Sequence, residues 1–289
     1  MTLQKKHLKY LIRWDLTLER LIFIFRRNYK DNHTQKARED VQYWNEMKNK
    51  YKNQPGFVIG NGPSLRINDL TKIHEKGFIS IASNKIFLSF DQTPWRPTIY
   101  TIADNLVFEN HKNNIHPDIK IVHTPSMYTL TDNTKEQRVW KSMPYITFDK
   151  FLKYIKNRFI YKKHIKGLQH GISDDMAYGA YGGCTVTYNN IQIATHIGLN
   201  PIYLIGCDHS YSNNENTIQD VGADAHFIKG YLKPGEGVNP APIKCMTEAY
   251  QDAKLYCEAN NIKIFNATRK GCLEVFERVE LDEIIGASK

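Results

Sequence analysis

The chain has 289 residues, with 39 Lys and Arg against 30 Asp and Glu, for a net charge of +9. That length supports one large α/β domain or two small ones, and 17 Tyr, 13 Phe and 4 Trp exclude a disordered chain. The positive balance points to acidic partners: nucleic acid, anionic lipid or phosphorylated substrates.

Residues 1–52 form a segment of their own. Leu8, Leu11, Ile12, Leu16, Leu18, Leu21, Ile22 and Phe25 fall mostly at helical spacing, with Lys5, Lys6, Lys9, Arg13, Arg20, Arg26 and Arg27 between them. The pattern predicts an N-terminal amphipathic helical extension. It serves equally a helix lying on an anionic membrane surface or one packed on its own domain or on a second subunit. No run of about 18 apolar residues is present to span a membrane, and no signal peptide is expected, because charge interrupts the apolar positions. The segment stays polar and helical over 33–51 before Asn53-Gln54-Pro55-Gly56 punctuates it.

A second unit is expected over 53–285. The apolar run 57–59 ends in Gly60-Asn61-Gly62-Pro63-Ser64, which reads as a buried strand breaking into a tight turn before a helix over 67–76, with Ser64 as its cap. Such a turn is either an anion site at a helix N-terminus or an ordinary βα connection. Further strands are expected over 78–82, 98–103 and 118–122, each finishing in polar residues: Asn84, Asp104 with Asn105, then His123 and Thr124. In an open parallel sheet such carboxyl ends share one edge, where ligands bind.

Residues 125–178 are basic and aromatic without a recognised binding motif, and are read as a helical or lid insertion that takes the acceptor rather than as a nucleic-acid surface. Then comes Tyr181-Gly182-Gly183-Cys184-Thr185, a second glycine turn. It leads to a helix over 189–197 and a strand over 202–206 that ends in Cys207-Asp208-His209-Ser210-Tyr211. Asp208 and His209 either do acid/base work or cap a turn and face solvent. His226 opens a later segment, and a helix over 245–260 and a strand over 263–266 follow. Alternating strands and helices predict a doubly wound, mostly parallel, Rossmann-like α/β sheet. Five widely spaced cysteines without a C-x-x-C pair argue against a zinc site and a disulfide framework, and fit a reducing cytoplasm.

The series G-N-G-P-S-L, G-G-C-T-V-T, G-L-N-P-I-Y-L-I-G-C-D and N-A-T-R-K-G resembles the domain-of-unknown-function family 115. That Rossmann-like group includes surface-glycan-modifying glycosyltransferases and archaeal 6-hydroxymethylpterin diphosphokinases. It is similar as well to bacterial CMP-sialic-acid-dependent sialyltransferases of lipooligosaccharide synthesis. The resemblance implies a glycosyltransferase moving a sialic-acid-like or Kdo-like sugar from a CMP-sugar to a glycan or lipid-linked acceptor. It implies nucleotide contacts from Gly60, Asn61, Gly62, Ser64, Asn84, Asp104, Asn105, Gly182, Gly183 and Cys184. Catalysis would fall to His226, His209, Asp208 and Tyr211; the family's His-Tyr-Ile-Gly-His segment reads His226-Phe227-Ile228-Lys229-Gly230 here, without the second histidine. No metal or cofactor beyond the donor is implied. The expected setting is cytoplasmic, with peripheral contact at the inner membrane face, no nucleic-acid partner, and a homo-oligomer left open. The alternatives are a diphosphokinase using ATP and Mg²⁺, with Asp104 and Asp208 as the carboxylates, or a non-catalytic nucleotide-binding module.

Overall fold

The computed structural model describes residues 35–125, 139–143, 168–173, 175–177, 179–210, 226–232, 236 and 242–286. The expected amphipathic helices over 1–34, most of the expected insertion, and Tyr211 lie outside the described residues.

Among the described residues, eight strands form a single parallel sheet. They are β1 Gly56–Ile59, β2 Ile79–Ser83, β3 Ile99–Thr101, β4 Ile121–Pro125, β5 Val139–Met143, β6 Ile202–Ile205, β7 Ile264–Asn266 and β8 Glu277–Arg278, in the order β5-β4-β3-β2-β1-β6-β7-β8. Every pairing is parallel. The fold is the expected Rossmann-like α/β arrangement. The central strand β1 is buried at all four positions, so it reads as a continuous apolar run rather than an alternating one. Its side chains still divide by the two-residue period: Val58 joins the core on one face, while Phe57 and Ile59 join the core on the other.

Helix α1 Gln35–Met47 belongs to the first of these cores. Its Trp44 is fully buried, and its backbone oxygen meets His196 Nε2 at 2.7 Å. Beside it the Tyr43 hydroxyl meets His123 Nε2 at 2.8 Å. Helices α2 Ile67–Glu75 and α3 Asn105–His111 follow β1 and β3, and a 3₁₀ segment, Asn84–Ser89, follows β2. Helix α4 Val186–His196 precedes β6, α5 Ile243–Ala259 precedes β7, and α6 Leu281–Gly286 ends the described chain. Helix α4 is buried on nearly every side although six of its buried residues are polar: Thr187, Asn189, Asn190, Gln192, Thr195 and His196. Its amides tie down the preceding segment instead of facing water: Gln192 Oε1 accepts from Ser173 N and Tyr181 N, both at 3.0 Å, and Asn189 Nδ2 donates to the Tyr181 oxygen.

Two expectations change here. The helix opens at Ile67 as expected, but Ser64 does not cap it: the N-cap position is held two residues later by the extended Arg66, whose N–H meets Asp69 Oδ2 at 3.4 Å. The segment read wholly as an insertion also carries β5, the edge strand, in register with β4 from Ile121↔Val139 to Pro125↔Met143. Its central residues, Trp140-Lys141-Ser142, lack the apolar run that marks the inner strands. Among the described residues no helix is long and apolar enough to cross a membrane.

Candidate functional site

The strand order reverses between β1 and β6, because the chain moves outward from β1 through β5 and then returns to the other side of β1. A parallel sheet binds ligands in the crevice beyond such a switch point. The residues there are Gly60-Asn61-Gly62 after β1 and Gly206-Cys207-Asp208-His209 after β6.

These two loops lie back to back. Gly62 N donates to the Gly206 oxygen at 2.8 Å. A Cβ on Gly60 would meet the Gly206 oxygen at 2.3 Å, and one on Gly62 would meet Asp208 Oδ2 at 1.9 Å. Both glycines are therefore required by loop packing, whatever they also do for a ligand. Asp208 Oδ2 accepts the Ser64 hydroxyl at 2.8 Å and the Ser64 N–H at 3.4 Å. Burial pushes the Asp208 carboxyl above its usual range and the Ser64 bonds pull it back. Asp208 thus pins the first glycine turn. His209 points elsewhere: its Nε2 meets Thr247 Oγ1 on α5 at 2.8 Å, and its ring stands edge-on to Tyr250. Burial lowers its pKa. Asp208 and His209 thus pair with different groups rather than with each other.

The ends of β2 and β3 carry polar atoms with open capacity. Asn61 Nδ2 donates to the Ser83 oxygen at 3.0 Å, and Thr101 Oγ1 donates to Asn190 Oδ1 at 2.7 Å, with Ser83 and Thr101 side by side in register. Asn61 Oδ1, Ser83 Oγ, Asn84 Oδ1 and Asn190 Nδ2 are buried without a hydrogen-bond partner among the described residues. Buried polar groups are satisfied almost everywhere in folded proteins, so the three at the ends of β1 and β2, with Asn190 of α4 beside β3, make this the candidate place for a ligand. Asn84 also sits at φ +55°, as do Cys184 at +59° and His209 at +52°. Left-handed backbone is uncommon for non-glycine residues, particularly Cys, and collects at functional sites.

Asp104 caps α3 by accepting from Val107 N at 3.0 Å, and Asn105 is the first residue of that helix. A Cβ on Gly182 would meet nothing within 4 Å among the described residues, whereas one on Gly183 would press on Tyr188 and Ala249 at 2.4 and 2.6 Å. Thr185 caps α4 by accepting from Thr187 N, leaving the helix N-terminus behind the glycine pair. Cys184 corrects the reading of the cysteines. It is bonded to Cys245 in the first turn of α5, with Cα atoms 6.1 Å apart, across 61 residues of sequence. Spacing alone could not show this, since the fold brings two distant helix starts together.

His226 lies with the first glycine turn, because Phe227 N donates to the Asn61 oxygen at 3.1 Å. Its ring stacks on Tyr231, with centroids 3.8 Å apart and planes at 12°. Burial, reinforced by the Lys85 charge and opposed by Glu236, lowers its pKa to about 4, so the imidazole is neutral at neutral pH. The structure thus draws His226, Asn61, Asn84 and the β2 end together and sets His209 beside α5. The sequence reading missed Lys85, 2 % exposed, whose Nζ donates to the Tyr231 oxygen and to Glu236 Oε1. Its signal was a lone lysine ahead of the apolar Ile86-Phe87-Leu88. Among the described residues no group of three His, Cys, Asp or Glu side chains gathers to hold a metal.

A family model described as 6-hydroxymethylpterin diphosphokinase MptE-like matches residues 27–214. No curated protein matches the chain. No solved structure matches it either.

Proposed function

We propose a nucleotide-dependent transferase activity for this chain, which belongs to the MptE-like family, whose model spans more than half of its length. The reaction we assign is transfer of an acidic sugar from a CMP-sugar to a glycan or lipid-linked acceptor. The observation that carries this reading is the set of uncharged groups with open hydrogen-bonding capacity at the β1–β2–β3 edge, Asn61, Ser83, Asn84 and Asn190, beside the neutral His226.

Amides and hydroxyls suit a nucleoside, whose base edge and ribose hydroxyls both give and take hydrogen bonds. The N-terminus of α4, behind Gly182 and Gly183, suits a phosphate. A nucleoside monophosphate leaving group can be held by such donors as charge develops on it. Neutral His226 has a lone pair to accept the acceptor hydroxyl's proton. With a conjugate-acid pKa near 4 it is a weak base, suited to a step in which bond breaking at the anomeric carbon runs ahead of proton removal. Incubation with CMP-sialic acid and CMP-Kdo in EDTA tests the reading by CMP release. Release that His226→Ala abolishes supports it, and no release from either donor sinks it.

The family match favours a second reading, pyrophosphoryl transfer from ATP to a pterin. That chemistry calls on Mg²⁺ and carboxylates. Asp104 and Asp208 would supply these, and each already spends an oxygen on the fold, on Val107 N and on Ser64. AMP production from ATP with 6-hydroxymethylpterin and Mg²⁺ would establish it.

A further inference from the structure

Lys85 follows Asn84 at the carboxyl end of β2, on the edge where a ligand is expected. A buried ammonium is costly, and a buried ion pair is seldom more stable than an apolar packing of the same shape. Its presence here calls for a use. The anion it faces is Glu236, 151 residues further along the chain, with Nζ to Oε1 at 2.5 Å. His111, from α3, converges on the same oxygen, with its Nε2 at 2.9 Å. Lys85 after β2 and His111 from α3 thus grip one oxygen of a carboxylate, as they would grip one oxygen of a phosphoryl group. The Tyr231 ring lies 5.1 Å from Lys85 Nζ and carries the stacked His226, so Lys85 touches both Glu236 and the residue against which the proposed base is stacked.

We propose that Lys85 and His111 form the anion subsite for a phosphoryl group of the ligand, and that Glu236 occupies this subsite when no ligand is bound. Phosphate entry is then an exchange: the phosphoryl oxygen takes the place of Glu236 Oε1 on Lys85. The exchange frees the Glu236 end of the segment that bears His226 and Tyr231. Binding of the donor and placement of the base are coupled through one ammonium. The site deepens the transferase reading and rests on it for the identity of the ligand, but not for the chemistry of the anion.

The test is titration of the full chain with inorganic pyrophosphate and, separately, with CMP, by calorimetry. Glu236→Gln keeps the shape and removes the competing charge, and its pyrophosphate dissociation constant should fall about tenfold, because the competent state no longer has to be released first. Lys85→Met should lose saturable pyrophosphate binding. Affinity in Glu236→Gln equal to or weaker than that of the unsubstituted protein overturns the proposal, as does a Glu236→Gln chain that does not fold, since Glu236 would then be structural. Absence of pyrophosphate binding in both proteins overturns it too. Pyrophosphate binding that responds as expected, without any CMP binding, leaves the anion subsite standing and removes the CMP-sugar reading alone.

Discussion

Gly62→Ala separates a glycine that serves the scaffold from one that serves a ligand. The added Cβ would lie 1.9 Å from Asp208 Oδ2, 2.7 Å from Asp208 Cγ and 2.8 Å from the Gly206 oxygen. The Gly206 oxygen is fixed by the Gly62 N–H itself, so relief has to come from Asp208. Moving that carboxylate breaks its 2.8 Å bond to Ser64 Oγ. Overpacking of this kind costs about 1–3 kcal/mol, and loss of a hydrogen bond to a charged group about 1.5–3 kcal/mol. Together the substitution should cost about 3–5 kcal/mol, a large part of a total stability of about 5–15 kcal/mol. Gly182→Ala is the control, since among the described residues nothing lies within 4 Å of its Cβ position. It should stay within about 0.5 kcal/mol of the unsubstituted chain. Urea unfolding reads both, with a lowered midpoint and an unchanged slope for Gly62→Ala. A Gly62→Ala midpoint within about 1 kcal/mol of the unsubstituted chain would refute the loop packing and return Gly62 to a role in ligand approach.

Further outcomes follow from other parts of the structure. Ser64→Ala removes the hydroxyl bond to Asp208 and keeps the backbone one, so the Asp208 pKa should rise and stability should drop by about 1.5–3 kcal/mol, as read by carboxyl NMR titration and urea unfolding. His123 is fully buried, and burial, partly offset by its bond to the Tyr100 oxygen, lowers its pKa from 6.5 to about 4. The unfolded chain binds this proton more readily, so the contribution is complete above pH 6.5 and is lost as pH falls toward 4, about 3 kcal/mol in all. His123→Phe should flatten the unfolding free energy against pH over that window, and an unchanged slope would contradict the burial. If His226 is the base, donor turnover should fall on the acid side near pH 4 rather than near 6.5. Cys184→Ser opens the 61-residue separation closed by the disulfide, which the chain-entropy model values at about 4 kcal/mol, and should lower the melting temperature by several degrees under non-reducing conditions only.

The sheet was legible because its inner strands are short apolar runs that end in turn-forming polar residues. Gly60-Asn61-Gly62, Ser83-Asn84 and Cys207-Asp208 could all be placed at one edge from that pattern. Strands β5 and β8 were not legible. Val139–Met143 holds Trp140, Lys141 and Ser142 at its centre, and Glu277–Arg278 is two charged residues long, so neither has a strand's apolar signature. The partners within the site were also hidden. Asp208 with Ser64 spans 144 residues, Lys85 with Glu236 spans 151, and Cys184 with Cys245 spans 61, separations that only the fold closes. The family resemblance made both His209 and His226 candidates, but their separation rests on side-chain direction: one toward Thr247, the other onto Tyr231.

The central claim is the proposal that the β1–β2–β3 edge holds a cytidine nucleotide without a metal. Thermal unfolding with CMP in EDTA tests it most directly, with ATP plus Mg²⁺ as the comparison. CMP at 100 times its dissociation constant should stabilise the chain by about 2.7 kcal/mol, with the gain reduced in Lys85→Met. A shift produced by ATP only when Mg²⁺ is present, with none from CMP, would contradict the claim and make pyrophosphoryl transfer the function of this fold.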